Sequence, residues 1–131
     1  MDYREFVRTV RSRGGFESDE RAERVTASTF ETIGEIIPTP DKRQLIKRLP
    51  AELQGLFERH PPVPPYSLDE FFSRVAAREG ATFEDAERDV RVAVSVLRDA
   101  TAGGEIEDIW ARLPGEYRRL LNPGMPPAPQ L

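Results

Sequence analysis

The chain has 131 residues, 38% hydrophobic and 32% charged, with a formal net charge of −4. That length suits one domain, and the balance is that of a small globular protein with strongly charged outer faces, not of a disordered chain. Cysteine is absent, which excludes disulfides and thiolate chemistry, and no apolar run approaches the roughly 18 residues of a membrane span.

The predicted elements are all helical. Tyr3, Phe6, Val7 and Val10 mark one apolar face while Arg4, Arg8 and Arg11 line another, so residues 3–13 form a helix that Gly14-Gly15 stops. Ser18 is the N-cap of the next helix, with Asp19 and Glu20 complementing its dipole. Ala22, Val25, Thr29, Phe30, Ile33 and Ile37 then continue one face until Pro38 and Pro40 end it. A short helix over 41–48 follows, and Leu49-Pro50-Ala51-Glu52 starts another, with Leu53, Leu56 and Phe57 on its buried side.

His60-Pro61-Pro62-Val63-Pro64-Pro65 reads as an extended, semi-rigid linker. Ser67-Leu68-Asp69-Glu70 is a capping box opening a helix whose apolar face is Leu68, Phe71, Phe72 and Val75, and Gly80 stops it. Thr82 and Asp85 offer a second start of the same kind. Val90, Val92, Val94 and Val96 alternate with polar or small residues, as in a strand. Ala86, Val90, Ala93, Leu97 and Ala100 fit a helix equally well, and the aligned stretch 22–37 shows no alternation, so the helix is preferred, buried on more than one side. Gly103-Gly104 closes it, a short pair of helices over 105–112 and 114–121 follows, and Asn122-Pro123-Gly124 ends order before a proline-rich tail.

This order repeats because the second half of the chain is a diverged copy of the first. With a shift of 65, Glu5, Phe6, Val10, Arg13 and Gly15 meet Glu70, Phe71, Val75, Arg78 and Gly80. After a one-residue deletion, Glu20, Ala22, Glu23 and Arg24 meet Glu84, Ala86, Glu87 and Arg88, and Arg48-Leu49-Pro50 meets Arg112-Leu113-Pro114. Each half alone is marginal in size, so the copies are expected to share one core. The expected architecture is all-α: eight helices as two pseudo-symmetric four-helix repeats in one domain over 1–122. Repeat one spans 1–59, the linker 60–66, repeat two 67–122 and a flexible tail 123–131.

No catalytic, cofactor-binding or metal-binding constellation stands out. His60, the single histidine, forms neither a triad nor a metal centre alone and reads as an exposed linker residue. Glu105, Glu107 and Asp108 fit the dipole at a helix start better than a hard-cation site. Trp110 reads as core with its N–H satisfied.

Two groups of charges are candidates for more than solvation. Arg4, Arg8, Arg11, Lys42, Arg43 and Lys47 form a basic group in the first copy whose counterparts in the second are mostly not basic. Such a group suits an anion, nucleic acid or an acidic partner, but acids surround it and the half-chain is neutral, so a solvated, salt-bridged face is the preferred reading. The charges retained in both copies are Arg13 and Arg78, Glu23 and Glu87, Arg24 and Arg88, Arg48 and Arg112, and Glu52 and Glu116; these are expected to pair within the domain and fix how helices cross.

The starts Tyr3-Arg4-Glu5-Phe6 and Leu68-Asp69-Glu70-Phe71-Phe72, the pair Ala22-Glu23-Arg24 and Ala86-Glu87-Arg88, and Leu49-Pro50-Ala51-Glu52-Leu53 with Leu113-Pro114-Gly115-Glu116-Tyr117 give the chain a resemblance. It resembles the bacterial family called domain of unknown function 2267, nearly throughout up to about Asn122. The resemblance implies an all-helical duplicated fold in small bacterial cytosolic proteins and brings no catalytic residues.

The leading functional expectation is a non-enzymatic protein-interaction or scaffolding module, cytoplasmic and without cofactor. Residues 1–65 carry 11 basic and 11 acidic side chains and residues 66–131 carry 8 and 12, so the acidic excess lies in the second copy. Self-association through unlike halves, or an unidentified protein partner, follows from that asymmetry. The rival is an anion or nucleic-acid binder through the basic group, with nucleic acid the less favoured ligand; no membrane partner is expected. An enzyme using carboxylates between the halves would require acidic side chains to converge in a sizeable pocket.

Overall fold

Seven α-helices and one 3-10 helix follow one another along the described residues, 1–101 and 105–121 of the computed structural model, with no strand among them. They are α1 (Tyr3–Gly14), α2 (Asp19–Ile36), α3 (Thr39–Ile46), α4 (Ala51–Phe57), α5 (Leu68–Glu79), α6 (Phe83–Ala100), α7 (Glu105–Trp110) and a closing 3-10 helix (Gly115–Leu121). Gly103-Gly104 and the tail from Asn122 lie outside the described residues.

Local chemistry sets the boundaries. The side chains of Asp2, Ser18, Ser67 and Thr82 each accept the backbone N–H three residues on, at 2.8–3.1 Å, satisfying one of the donors that a helix start leaves open. Gly15 and Gly80 end α1 and α5 in the left-handed region, with φ of 66° and 74°, where a side chain would be strained. The Ser67 box is half formed: Glu70 turns its carboxylate to Arg74 Nε at 2.9 Å. Helix α3 begins two residues before the expected 41, because Pro40 falls in its first turn, where a missing N–H costs nothing. The last helix is 3-10 where its counterpart α4 is α-helical; Gly115 stands where α4 has the better helix former Ala51.

The principal packed pairs stay the same when α1–α4 are exchanged for α5, α6, α7 and the 3-10 helix. α1 packs on α2 as α5 packs on α6, and α2 packs on α4 as α6 packs on the 3-10 helix. α2 meets α5 as α6 meets α1, while α2–α6 and α3–α7 map onto themselves. One core results, running from Phe6, Phe30 and Phe57 to Phe71, Trp110 and Tyr117. Phe30 stacks on Phe57 at 4.6 Å between ring centres, and Tyr117 meets Phe71 edge-on at 5.6 Å. Helix α6 is buried on several sides, with Val90, Ala93, Val94, Val96 and Leu97 all inside, which explains its strand-like run of valines. Trp110 is fully buried, and its indole N–H, expected to be satisfied, has no partner among the described residues.

The linker is tied down. Val63 donates its N–H to the Glu35 carbonyl at 2.7 Å, and the Tyr117 hydroxyl donates to the Tyr66 carbonyl at 2.8 Å. The Glu116 carboxylate accepts the Leu68 N–H, joining the last helix to the start of α5.

Candidate functional site

Three of the retained arginines, Arg13, Arg78 and Arg112, join the repeats. Arg78 on α5 reaches Glu35 at the end of α2, Nη2 to Oε2 at 2.9 Å, and also donates to Thr32 Oγ1 at 2.8 Å. Arg13 on α1 reaches Asp99 at the end of α6, Nη1 to Oδ2 at 2.8 Å, and also donates to Ser95 Oγ at 3.1 Å. Arg112 meets Asp41, and Arg88 meets Asp85 at 3.1 Å and Asp89 at 3.7 Å. Glu23 accepts the Tyr3 hydroxyl at 2.9 Å, and Glu87 lies 3.9 Å from Arg91. Arg48 is also engaged, whereas Arg24 is exposed along a groove that it shares with Arg21, Arg88 and Glu17.

Glu35 is the centre of the larger of these networks. Its buried carboxylate accepts from Arg78, from Arg74 at 3.2 Å and from the Tyr66 hydroxyl at 2.6 Å. Burial opposes its charge, but Arg78, Tyr66 and Arg74 outweigh that and hold its pKa below the ordinary glutamate value. Burial, reinforced by the Glu35 hydrogen bond, pushes the Tyr66 phenol well up.

The six basic candidates separate. Arg4 and Arg8 line a shallow groove on α1 with Tyr3, Val7, Asp19, Glu23 and Glu52, so acids surround them. Burial and the bond to Glu23 push the Tyr3 phenol up to about 12. Arg11 is committed to Asp19 at 3.1 Å and to the Glu17 carbonyl. Lys42 is buried, its Nζ 3.3 Å from the Gly34 carbonyl. Lys47 is exposed at the end of α3. Arg43 lines a second groove, of about 470 Å³, between α3 and the linker, together with Thr39, Lys42, Glu58, Arg59 and His60. His60, expected to be exposed, is half-buried, its Nε2 2.9 Å from Glu31 Oε1; Arg59 holds the other oxygen at 2.8 Å.

A third cluster lies at the junction of the repeats. Glu79, the last residue of α5, and Asp89 on α6 are 1% and 0% exposed, and their carboxyls lie near enough to act on each other's ionisation. Arg21, from α2, approaches Asp89 at 3.3 Å. Burial pushes Glu79 up to about 8, helped by the neighbouring Asp89, and burial also raises Asp89 against the pull of Arg21 and Arg88. Both acids belong to the second repeat, with Arg21 of the first against them, and they are sealed from solvent. No group of three metal-ligating side chains occurs among the described residues.

The profile of a family described as "Uncharacterized conserved protein (DUF2267)" matches residues 3–120. The chain belongs to the DUF2267 family. A comparison with curated proteins returned no match. The match runs from α1 into the closing 3-10 helix. No described helix of this DUF2267 chain is long and apolar enough to cross a membrane.

Sequence reasoning missed the Glu79–Asp89 pair and the contributions of Arg59 and His60. A signal for the first existed. Glu79 stands opposite Gly14 and Asp89 opposite Val25, so acids occupy one copy where the other is apolar. Arg59 and His60 carried no such signal, because the linker's path across α3 belongs to tertiary structure. Glu107 of the acidic helix start pairs with Arg98 at 2.7 Å.

Proposed function

We propose that this chain is a non-enzymatic interaction module that docks an acidic protein segment on its first repeat, centred on the groove between α3 and the linker. The observation that carries this reading is the convergence of Arg43, Arg59 and His60 around one groove whose lining includes a single acid, Glu58. An apolar docking face is a weaker basis, since Met1 is the large hydrophobic side chain left exposed among the described residues. Charge is then what a partner has to read. The acidic second repeat of another copy is a natural occupant, because most arginines of that repeat are already paired internally.

The nucleic-acid reading has less support, since Arg11 is committed to Asp19 and Glu17 and the Lys42 amine is turned inward to Gly34. The enzyme reading is weakened by the enclosure of the Glu79 and Asp89 carboxyls.

Titrating the chain with a fluorescent poly-glutamate peptide and, separately, with duplex DNA over a salt series tests the proposal. The expected result is salt-sensitive peptide binding that Arg43→Glu abolishes. Equal peptide affinity for Arg43→Glu, or tight binding of DNA alone, refutes it. Size-exclusion chromatography over the same salts reports whether a second copy is the occupant.

A further inference from the structure

We propose that Glu79 and Asp89 hold one proton between them at neutral pH and form a pH-dependent latch at the turn between α5 and α6, braced by Arg21 from the first repeat. Both oxygens of Glu79 and Oδ1 of Asp89 are buried with no donor to satisfy them. Two neighbouring carboxylates that are both out of water cannot both stay ionised, and a proton placed between them supplies the missing donor. Asp89 then keeps the single negative charge that Arg21 meets at 3.3 Å. That contact ties α2 of the first repeat to α6 of the second. The charged groups facing the pair are Arg21 from α2 and Arg88 and Asp85 from α6; Glu17 and Arg24 lie further out along the groove.

The fold closes at the corresponding place without any acid. In the first repeat the ring of Phe16 lies over Gly14, so close that a Cβ there would meet it at 2.2 Å, and Val25 fills the position of Asp89. The second turn is one residue shorter and brings no such ring, and Glu79 takes the place of Gly14. The acid pair is therefore an addition to a frame that can be completed with apolar groups.

Alkali removes the shared proton to solvent and leaves two buried anions against Arg21 and Arg88. The cheapest relief is rotation of Glu79 outward, because it is the last residue of α5 and is followed by Gly80, whose left-handed conformation makes the turn. The latch opens at the α5–α6 turn while the rest of the core stays packed.

Side-chain carboxyl ¹³C NMR of the intact chain tests this, together with amide exchange corrected for intrinsic rate. Glu79 should titrate about 2 or more pH units above the exposed glutamates. Protection of the amides at 79–83 should fall about ten-fold or more between pH 6 and 9.5, and Glu79→Gln, which keeps a neutral donor, should lose that fall. Titration of Glu79 in the ordinary carboxylate range overturns the proposal, as does the same loss of protection in Glu79→Gln. Should that variant not fold, Arg21→Gln decides through its midpoint: removing the cation should move the Glu79 transition further up, and an unmoved midpoint removes Arg21 from the latch.

Discussion

Arg78 and Arg13 occupy the same place in the two repeats, yet their ion pairs are not equivalent. Arg78 is 23% exposed and its partner Glu35 4%, whereas Arg13 and Asp99 are 40% and 57% exposed. Each arginine crosses from the first helix of its own repeat to the end of the second helix of the other, so the two connections stitch the halves in opposite directions. Burial decides which of them matters energetically. Removing one partner of a buried pair strands the other charge, whereas an exposed pair is screened by water.

Arg78→Ala should therefore destabilise the fold by about 2–3 kcal/mol, since Arg74 and the Tyr66 hydroxyl still meet Glu35, and Arg13→Ala by about 1 kcal/mol or less. Urea unfolding followed by the fluorescence of buried Trp110 measures both. Equal losses would mean that burial is not what distinguishes the pairs.

Glycine makes a second contrast. A Cβ on Gly34 would lie 2.0 Å from the Phe57 carbonyl oxygen, where α4 ends against α2, while a Cβ on Gly55 meets nothing within 4 Å. Backbone cannot yield as a side-chain tip can, so Gly34→Ala should cost about 2–3 kcal/mol through overpacking. Gly55→Ala should stabilise α4 by about 0.5–1 kcal/mol, through the lower entropy of the unfolded chain. Thermal melts of the two variants should move in opposite directions.

Acid provides a third test. The Glu35 pKa is lowered in the folded chain from an ordinary value of 4.5. The folded state thus binds fewer protons there than the unfolded state, and stability rises with pH across that window. Its contribution is fully present above the unfolded value and is lost as pH falls through the depressed one. Glu35→Gln should lower stability at neutral pH and flatten the acid limb of the stability–pH curve. An acid limb as steep in the variant as in the natural chain would assign the acid sensitivity to other carboxylates.

By itself the sequence determined the helices, their caps and the duplication, because each depends on residues a few positions apart: a 3.6 period, a Ser or Thr three residues before a free N–H, a glycine at a left-handed stop. It also marked Arg13 and Arg78 as a repeated pair. Their partners Asp99 and Glu35 lie 86 and 43 positions away in the chain, and only the crossing of α1 on α6 and of α5 on α2 brings them together. The same holds for the basic group. Lys42 and Arg43 are neighbours on one helix, but packing turns Lys42 inward to Gly34 and leaves Arg43 in a groove with Arg59 and His60. Tertiary structure alone decided that Glu79 and Asp89 meet in the dark of the core. Whether an acidic side chain is a solvated charge or a proton-sharing group depends on the water around it, and that is fixed by what packs against it from the other repeat.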